Sequence, residues 1–232
     1  MALATKYGRC DVIPLLVAAG ARVDVGWEHQ TPLLYAVRAR QLECVTILLN
    51  YGASIDQPDE VGQTLLHIAA RKYDAKMIHL LAEKGSDLES TDCNGDTPLL
   101  AALLEGRFIT EMMSQGALRA RESIEALLVE GVKLNLSDRH GGTALMRAIY
   151  DRWWDMAEFL LEKGADPDQR DSKGELALHK LARKVTPRML GAQTRRYNSF
   201  TRLLVERCTD FDAPNHEGLT PLDLATSRDL DI

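Results

Sequence analysis

The chain has 232 residues, 45% of them apolar and 27% charged, and a net charge of −6 at neutral pH. Such a length suits one extended array or one large domain, and the acidic balance argues against nonspecific affinity for nucleic acid. Its four cysteines, Cys10, Cys44, Cys93 and Cys208, show no Cys-x-x-Cys spacing, so neither a zinc site nor a disulfide framework is expected.

No stretch reaches the ~18 apolar residues a membrane helix needs, and Met1 opens no signal-peptide pattern. The expectation is a soluble protein of a reducing compartment, cytoplasmic or nuclear, with no membrane association.

One pattern recurs. Thr31-Pro32-Leu33-Leu34, Thr64-Leu65-Leu66-His67 and Thr97-Pro98-Leu99-Leu100 stand 33 residues apart, each followed by a small residue at Ala36, Ala69 and Ala102. A period of this size marks a repeat solenoid. Thr is a good helix N-cap and Pro suits the first helical position, so each motif starts a helix. A second apolar run follows, such as Ile47-Leu48-Leu49 or Phe159-Leu160-Leu161, then a glycine (Gly52, Gly85, Gly131, Gly164) where a left-handed C-cap is needed. One repeat is two antiparallel helices and an extended turn. No single copy buries both faces of that pair, so copies must stack.

The frame predicts a single array over 1-232. Residues 1-26 read as a half repeat, with Ala4 as the small residue, Gly8 in the turn between helices, Leu15-Leu16 in the second helix and Gly20-Ala21 at its cap. Pro14 should kink or shorten that second helix. Copies follow at about 27-57 and 58-90, the latter the most regular, with His29 of the former standing where glycine is usual. The copy at 91-136 carries an insertion at 107-119, with Phe108, Ile109, Met112 and Met113 at helical spacing, expected to lengthen a helix or add a short one.

The copy at 137-169 places Trp153-Trp154 between its helices. Adjacent residues on a helix cannot both face one core, so one tryptophan is expected in the core and the other half-buried against the 107-119 insertion. At 170-213 the Thr-Pro start becomes Leu176-Ala177, weakening the cap by about 1 kcal/mol. An insertion lies within about 184-198, and Cys208 stands where the capping glycine belongs. A half repeat at 214-232 closes the frame.

The motif Gly62-Gln63-Thr64-Leu65-Leu66-His67-Ile68-Ala69, the later Leu80-Leu81, and Gly164-Ala165-Asp166 resemble the ankyrin repeat. The resemblance implies an all-α solenoid of helix-turn-helix units with short β-hairpin-like turns. It also implies a noncatalytic, protein-binding scaffold that uses its turn tips and the exposed side of its first helices as a concave surface. Mapped onto this chain, that surface comprises Trp27, Glu28, Gln30 and Arg38, then Glu60, Val61, Gln63, Arg71 and Lys72. It continues through Cys93, Asn94, Asp96, Leu104, Glu105, Arg139, His140, Tyr150, Asp151, Ser172, Lys173, Glu175, Arg183 and Lys184. The expected partner-binding residues are Trp27, Arg38, Arg71, Lys72, Tyr150, Arg183 and Lys184, because aromatic and arginine anchors suit protein surfaces.

Between Glu175 and Glu206 there is no acidic residue, while Lys180, Arg183, Lys184, Arg188, Arg195, Arg196 and Arg202 are basic. Arg188, Arg195 and Arg196 are therefore candidates for an acidic or phosphorylated peptide. The competing expectation is a soluble loop that pairs with the array's own carboxylates. His67 and His179 occupy the motif's histidine position, where hydrogen bonds to neighbouring turns are expected rather than metal or acid–base chemistry. Carboxylate pairs such as Asp59-Glu60 are expected on exposed turns. No hydrolase, phosphate-loop or zinc-protease motif is present, so neither an enzyme nor a cofactor is expected. Two further readings stay open. One is a recognition segment of a larger signalling protein, immune receptor or ubiquitin-ligase adaptor; the other is a small-ligand binder or enzyme built from the insertions.

Overall fold

The structure, a computed structural model, describes residues 1–26, 30–104, 114–184 and 192–226, the side chains of 114 and 192–194 excepted. Trp27, Glu28, His29, Glu105, Phe108, Ile109, Met112, Met113 and Arg188 lie outside them.

The backbone forms two compact units, one of residues Met1–Ala102 with Gln115–Lys133, the other of Leu103–Ser114 with Leu134–Ile232. Helices α1 (Ala2–Lys6), α2 (Val12–Ala18), α3 (Pro32–Arg38), α4 (Leu42–Asn50), α5 (Leu65–Arg71), α6 (Ala75–Glu83), α7 (Pro98–Leu103) and α8 (Ser114–Val129) come first. They are followed by α9 (Ala144–Tyr150), α10 (Trp154–Glu162), α11 (Ala177–Ala182), α12 (Ala192–Arg207) and α13 (Pro221–Thr226). Among the described residues there is no strand, only an isolated antiparallel bridge between Ser137 and Thr143.

The predicted starts form as expected. Thr31 Oγ1 accepts from Leu34 N at 3.1 Å and Thr143 Oγ1 from Met146 N at 3.3 Å. Pro14 sits in the first turn of α2, where its missing N–H breaks no intrahelical bond. Gly8 holds φ 67° in the turn between α1 and α2. The corresponding turns of later copies put Arg40 (φ 57°), Tyr73 (φ 52°) and Arg152 (φ 58°) in the same left-handed region. Two of these side chains reach the next copy: Arg40 donates to the Lys72 carbonyl at the end of α5, and Tyr73 Oη donates to the Ala102 carbonyl at 3.1 Å.

Both insertions lengthen a second helix. α8 and α12 run 16 residues, where α4, α6 and α10 run 9. The extra turns of α12 carry Tyr197 and Phe200 onto Trp154, edge-on at 5.4 Å and stacked at 5.7 Å. Both tryptophans are consequently buried, Trp153 at 4% exposure and Trp154 at 5%, which corrects the expectation of a half-buried member. Trp153 is the nonhelical N-cap of α10, so its side chain is freed from helical direction, and the cover on Trp154 comes from α12 rather than from the 107-119 insertion.

The cysteine expectation is also corrected. Cys10 and Cys44, 34 residues apart, form a disulfide between the first two copies. A separation of one repeat brings equivalent parts of neighbouring copies together, a signal that spacing within a copy misses. Cys93 and Cys208 are free thiols. Burial, reinforced by Asp168, pushes the Cys208 thiol up to about 12, so it is inert near neutral pH.

Candidate partner-binding surface

Among the described residues, five turn tips are each organised by one side chain. Asp59 Oδ1 accepts from Val61 N and Gln63 N at 3.1 and 3.0 Å, and Asp92 Oδ1 from Asn94 N and Asp96 N at 2.7 and 3.1 Å. In the second unit Asp138, Asp171 and Asn215 repeat the arrangement with the N–H groups two and four residues on. Glycines at φ 71–79° complete the tips at Gly62, Gly95, Gly141, Gly174 and Gly218. Asp59 is thus an inward-facing organiser with 6% side-chain exposure, which corrects its placement on an exposed turn; Glu60 beside it is exposed.

Neighbouring tips are joined through backbone. In the first unit Cys93 N donates to Val61 O at 3.1 Å; in the second, Ser172 N to His140 O at 2.8 Å and His216 N to Lys173 O at 2.9 Å. Gly141 shows how close the ranks are, since a Cβ there would lie 2.7 Å from Asp171 Cα.

The motif histidines do the same work in the interior. His67 Nδ1 accepts from Thr64 N at 3.2 Å, and Nε2 faces Asp96 O at 2.8 Å. His179 Nδ1 accepts from Leu176 N at 3.1 Å, and Nε2 faces Leu219 O at 3.1 Å. Each ring therefore cross-links its own helix start to the next tip. Since Leu176 has no acceptor of its own, the His179 ring covers the N–H that a capping box would bind.

Burial lowers both histidine pKa values, and the hydrogen bonds to Asp96 and Leu219 only partly offset it. Unfolding releases rings that protonate near 6.5, so the unfolded chain takes up protons first as pH falls. Unfolding free energy is expected to be steady above about pH 7 and to fall below about 6.5, by at most ~1.4 kcal/mol per pH unit per ring, until the lowered native values are reached. Urea titrations between pH 7.5 and 5.5 read this directly; His67→Gln should flatten the first unit's share, and an unchanged slope in that variant would refute the assignment.

The structure distributes the predicted site residues unevenly. Tyr150 is 61% exposed at the end of α9, and Lys184 Nζ lies 3.7 Å from its ring centroid, so these two come together in the second unit. Arg71 and Lys72 are half-buried at the end of α5. Val61 and Leu104 are exposed apolar residues, and Cys93, Asn94, Arg139, His140, Ser172 and Lys173 are exposed.

Arg38 is instead a structural tie: Nη1 donates to Gln30 Oε1 at 2.6 Å and Nη2 to Asp59 Oδ2 at 3.2 Å. Asp96 and Glu175 turn inward, at 1% and 2% exposure. Glu175 is held by Arg183 at 2.9 and 2.6 Å and by Lys180 Nζ at 2.6 Å, while Lys180 also reaches Asp171 at 2.5 Å.

The basic run is largely matched by carboxylates. Besides Lys180 and Arg183, Arg196 Nη1 donates to Asp155 Oδ2 at 2.7 Å and Arg202 Nε to Glu206 Oε1 at 3.0 Å. Arg195 is exposed on α12. A shallow, open groove of about 480 Å³ runs between α10 and α12, lined by Glu158, Asn198, Ser199, Arg202, Leu203 and Glu206. No metal-binding cluster exists among the described residues, and none of their helices is long and apolar enough to cross a membrane.

This architecture is shared with known proteins. The sequence matches the family described as "Ankyrin repeats (3 copies)" at residues 1–59 and 54–117, and "Ankyrin repeats (many copies)" at 127–181. An ankyrin repeat and KH domain-containing protein of Caenorhabditis briggsae is 29% identical over 198 residues, covering 75% of this chain and 7% of that protein. The human palmitoyltransferase ZDHHC13 is 31% identical over 173 residues, covering 73% of this chain and 26% of the enzyme. The chain thus spans a quarter or less of the length of most curated relatives it matches.

Among solved structures, the ankyrin repeat domain of Bcl-3 aligns with TM-score 0.79 at 25% identity, over 98% of this chain and 93% of that one. The human ASB11 ankyrin repeat domain aligns with TM-score 0.71 at 24% identity, over 97% and 90%. The matched segments coincide with the copies, caps and inter-copy histidine bonds described above, and the chain belongs to the ankyrin repeat family.

Proposed function

We propose that this chain is a noncatalytic scaffold that binds a partner protein through its turn tips and the exposed ends of its first helices. The observation that supports this reading best is the tips within each unit, capped by their own Asp or Asn and bonded to one another through backbone. A surface fixed in this way loses little ordering entropy on binding. Tyr150, Lys184, Arg71 and Lys72 are the contacts proposed, with Trp27 as a further candidate; Arg38 and Arg183 serve the fold first. We place the protein in the cytoplasm or nucleus, where the Cys10–Cys44 bond would stand against a reducing poise.

A pull-down from the source cell lysate tests the site. Arg71→Ala with Tyr150→Ala should lower recovery of a specific partner by about tenfold or more with helicity intact, as loss of two anchor contacts implies. Loss only with Arg195→Ser and Arg196→Ser would move the site to α12 and favour an acidic or phosphorylated segment. Unchanged recovery in both would sink the proposal. The small share of its relatives that the chain spans favours a second reading, in which it is the recognition segment of a longer signalling, immune-receptor or ubiquitin-ligase adaptor polypeptide.

A further inference from the structure

The first half repeat buries few side chains against the rest of its unit, and one covalent bond joins it there. Of residues 1–26, only Thr5, Cys10 and Ile13 are buried. Leu3, Tyr7 and Leu15 are each 70% exposed, so these three contribute little to docking, which falls mainly to Ile13 and to half-buried residues such as Leu16 and Val17. The third copy, by contrast, buries Leu65, Leu66, Ile68, Met77, Ile78 and Leu81. α1 lies against α3 and α2 against α4, and Asp24 accepts from Ser54 N at 3.0 Å. Cys10, at the turn before α2, is bonded to Cys44, which is fully buried on α4.

We propose that the Cys10–Cys44 bond is a redox-controlled fastening for the half repeat. Oxidised, it keeps residues 1–26 docked on α3 and α4; reduced, the segment opens locally while the copies behind it stay folded. In a reducing compartment a disulfide is more often transient or sensing than permanent, which fits a fastening that can be undone. This step rests on the cytoplasmic or nuclear placement above.

The reductant is a small or protein dithiol. Its first thiolate attacks one cysteine sulfur, breaking the Sγ–Sγ bond and forming a mixed disulfide; its second thiolate displaces the remaining cysteine sulfur. The two electrons and two protons end on the Cys10 and Cys44 thiols, and the reductant leaves as its own disulfide. Both sulfurs are shielded, so attack follows transient opening of the half repeat and is slow for an exposed-site reaction.

Alkylation of the whole protein in denaturant, read by intact mass, should add two groups before reduction and four after it. Four groups without reduction would overturn the proposal. Hydrogen exchange on the native protein, with and without dithiothreitol, then reads the consequence. Amides of α1 and α2 should exchange on the order of 100-fold faster after reduction, as release of a loop of about one repeat implies, while α5, α6 and the second unit are unchanged. Cys10→Ser without reductant should reproduce that pattern, which separates loss of the bond from any other effect of the dithiol. Unchanged exchange in residues 1–26, or equal loosening of α5 and α6, would each sink the idea, and neither reading depends on the variant folding.

Discussion

Replacing Trp154 by alanine is expected to destabilise the second unit by about 3–5 kcal/mol, read from urea unfolding by circular dichroism. The indole is 5% exposed and fills the angle between α10 and α12, edge-on to Tyr197 and stacked on Phe200. Truncation leaves a cavity lined by the Tyr197 and Phe200 rings. It also loosens the first turns of α12, where Tyr197 is the aromatic contact and most other residues are polar. Trp154→Phe keeps most of the aromatic volume and should cost about 1–2 kcal/mol. A loss below about 1 kcal/mol for the alanine variant would show that α12 is held by something other than this cluster.

Glu175→Ala is the second large effect, expected at about 2–3 kcal/mol. Removing the carboxylate leaves Lys180, whose side chain is 19% exposed, with Asp171, and leaves Arg183 with the more distant Glu217 at 4.0 Å. The penalty sits below that of a fully buried pair because Arg183 is 40% exposed and can turn to water. Burial works against ionisation of Glu175, but hydrogen bonds from Lys180 and Arg183 outweigh it and hold the carboxyl below its ordinary value. Its contribution is therefore present above the unfolded pKa near 4.3 and lost as pH falls through the lowered native value. Urea titrations at pH 7 and pH 3 distinguish the cases: the gap between the wild type and Glu175→Ala should be smaller at pH 3 than at pH 7. A constant difference would assign the effect to packing alone.

The repeat frame was legible because its signals are local. Thr-Pro starts, the small residue one turn on and the closing glycine each follow from backbone chemistry, and they located the copies. Both insertions were visible as breaks in spacing, and Phe200 and Tyr197 lay within reach of a periodic reading of α12. What could not be read was which copy's side chains meet which. Arg38 looked like a surface anchor because nothing local shows that Asp59, 21 residues on, lies beneath it. Glu175 looked exposed for the same reason, since Lys180 and Arg183 come into range only once α11 forms. Cys10 and Cys44 were separable from the other cysteines by their one-repeat distance, a comparison between copies rather than within one.

Arg40 and Tyr73 carry a consequence for how the first unit responds to stress. Each occupies a backbone conformation that glycine adopts with no steric penalty, and each uses its side chain to close the end of the next copy's first helix. Local strain is thereby exchanged for a bond between neighbours, which makes an isolated copy poorer and a pair of copies better. In a linear lattice of such elements, a larger coupling relative to intrinsic stability lengthens the block that melts together. The first unit is accordingly built to lose its inner copies as one domain wall moves through, rather than one helix pair at a time.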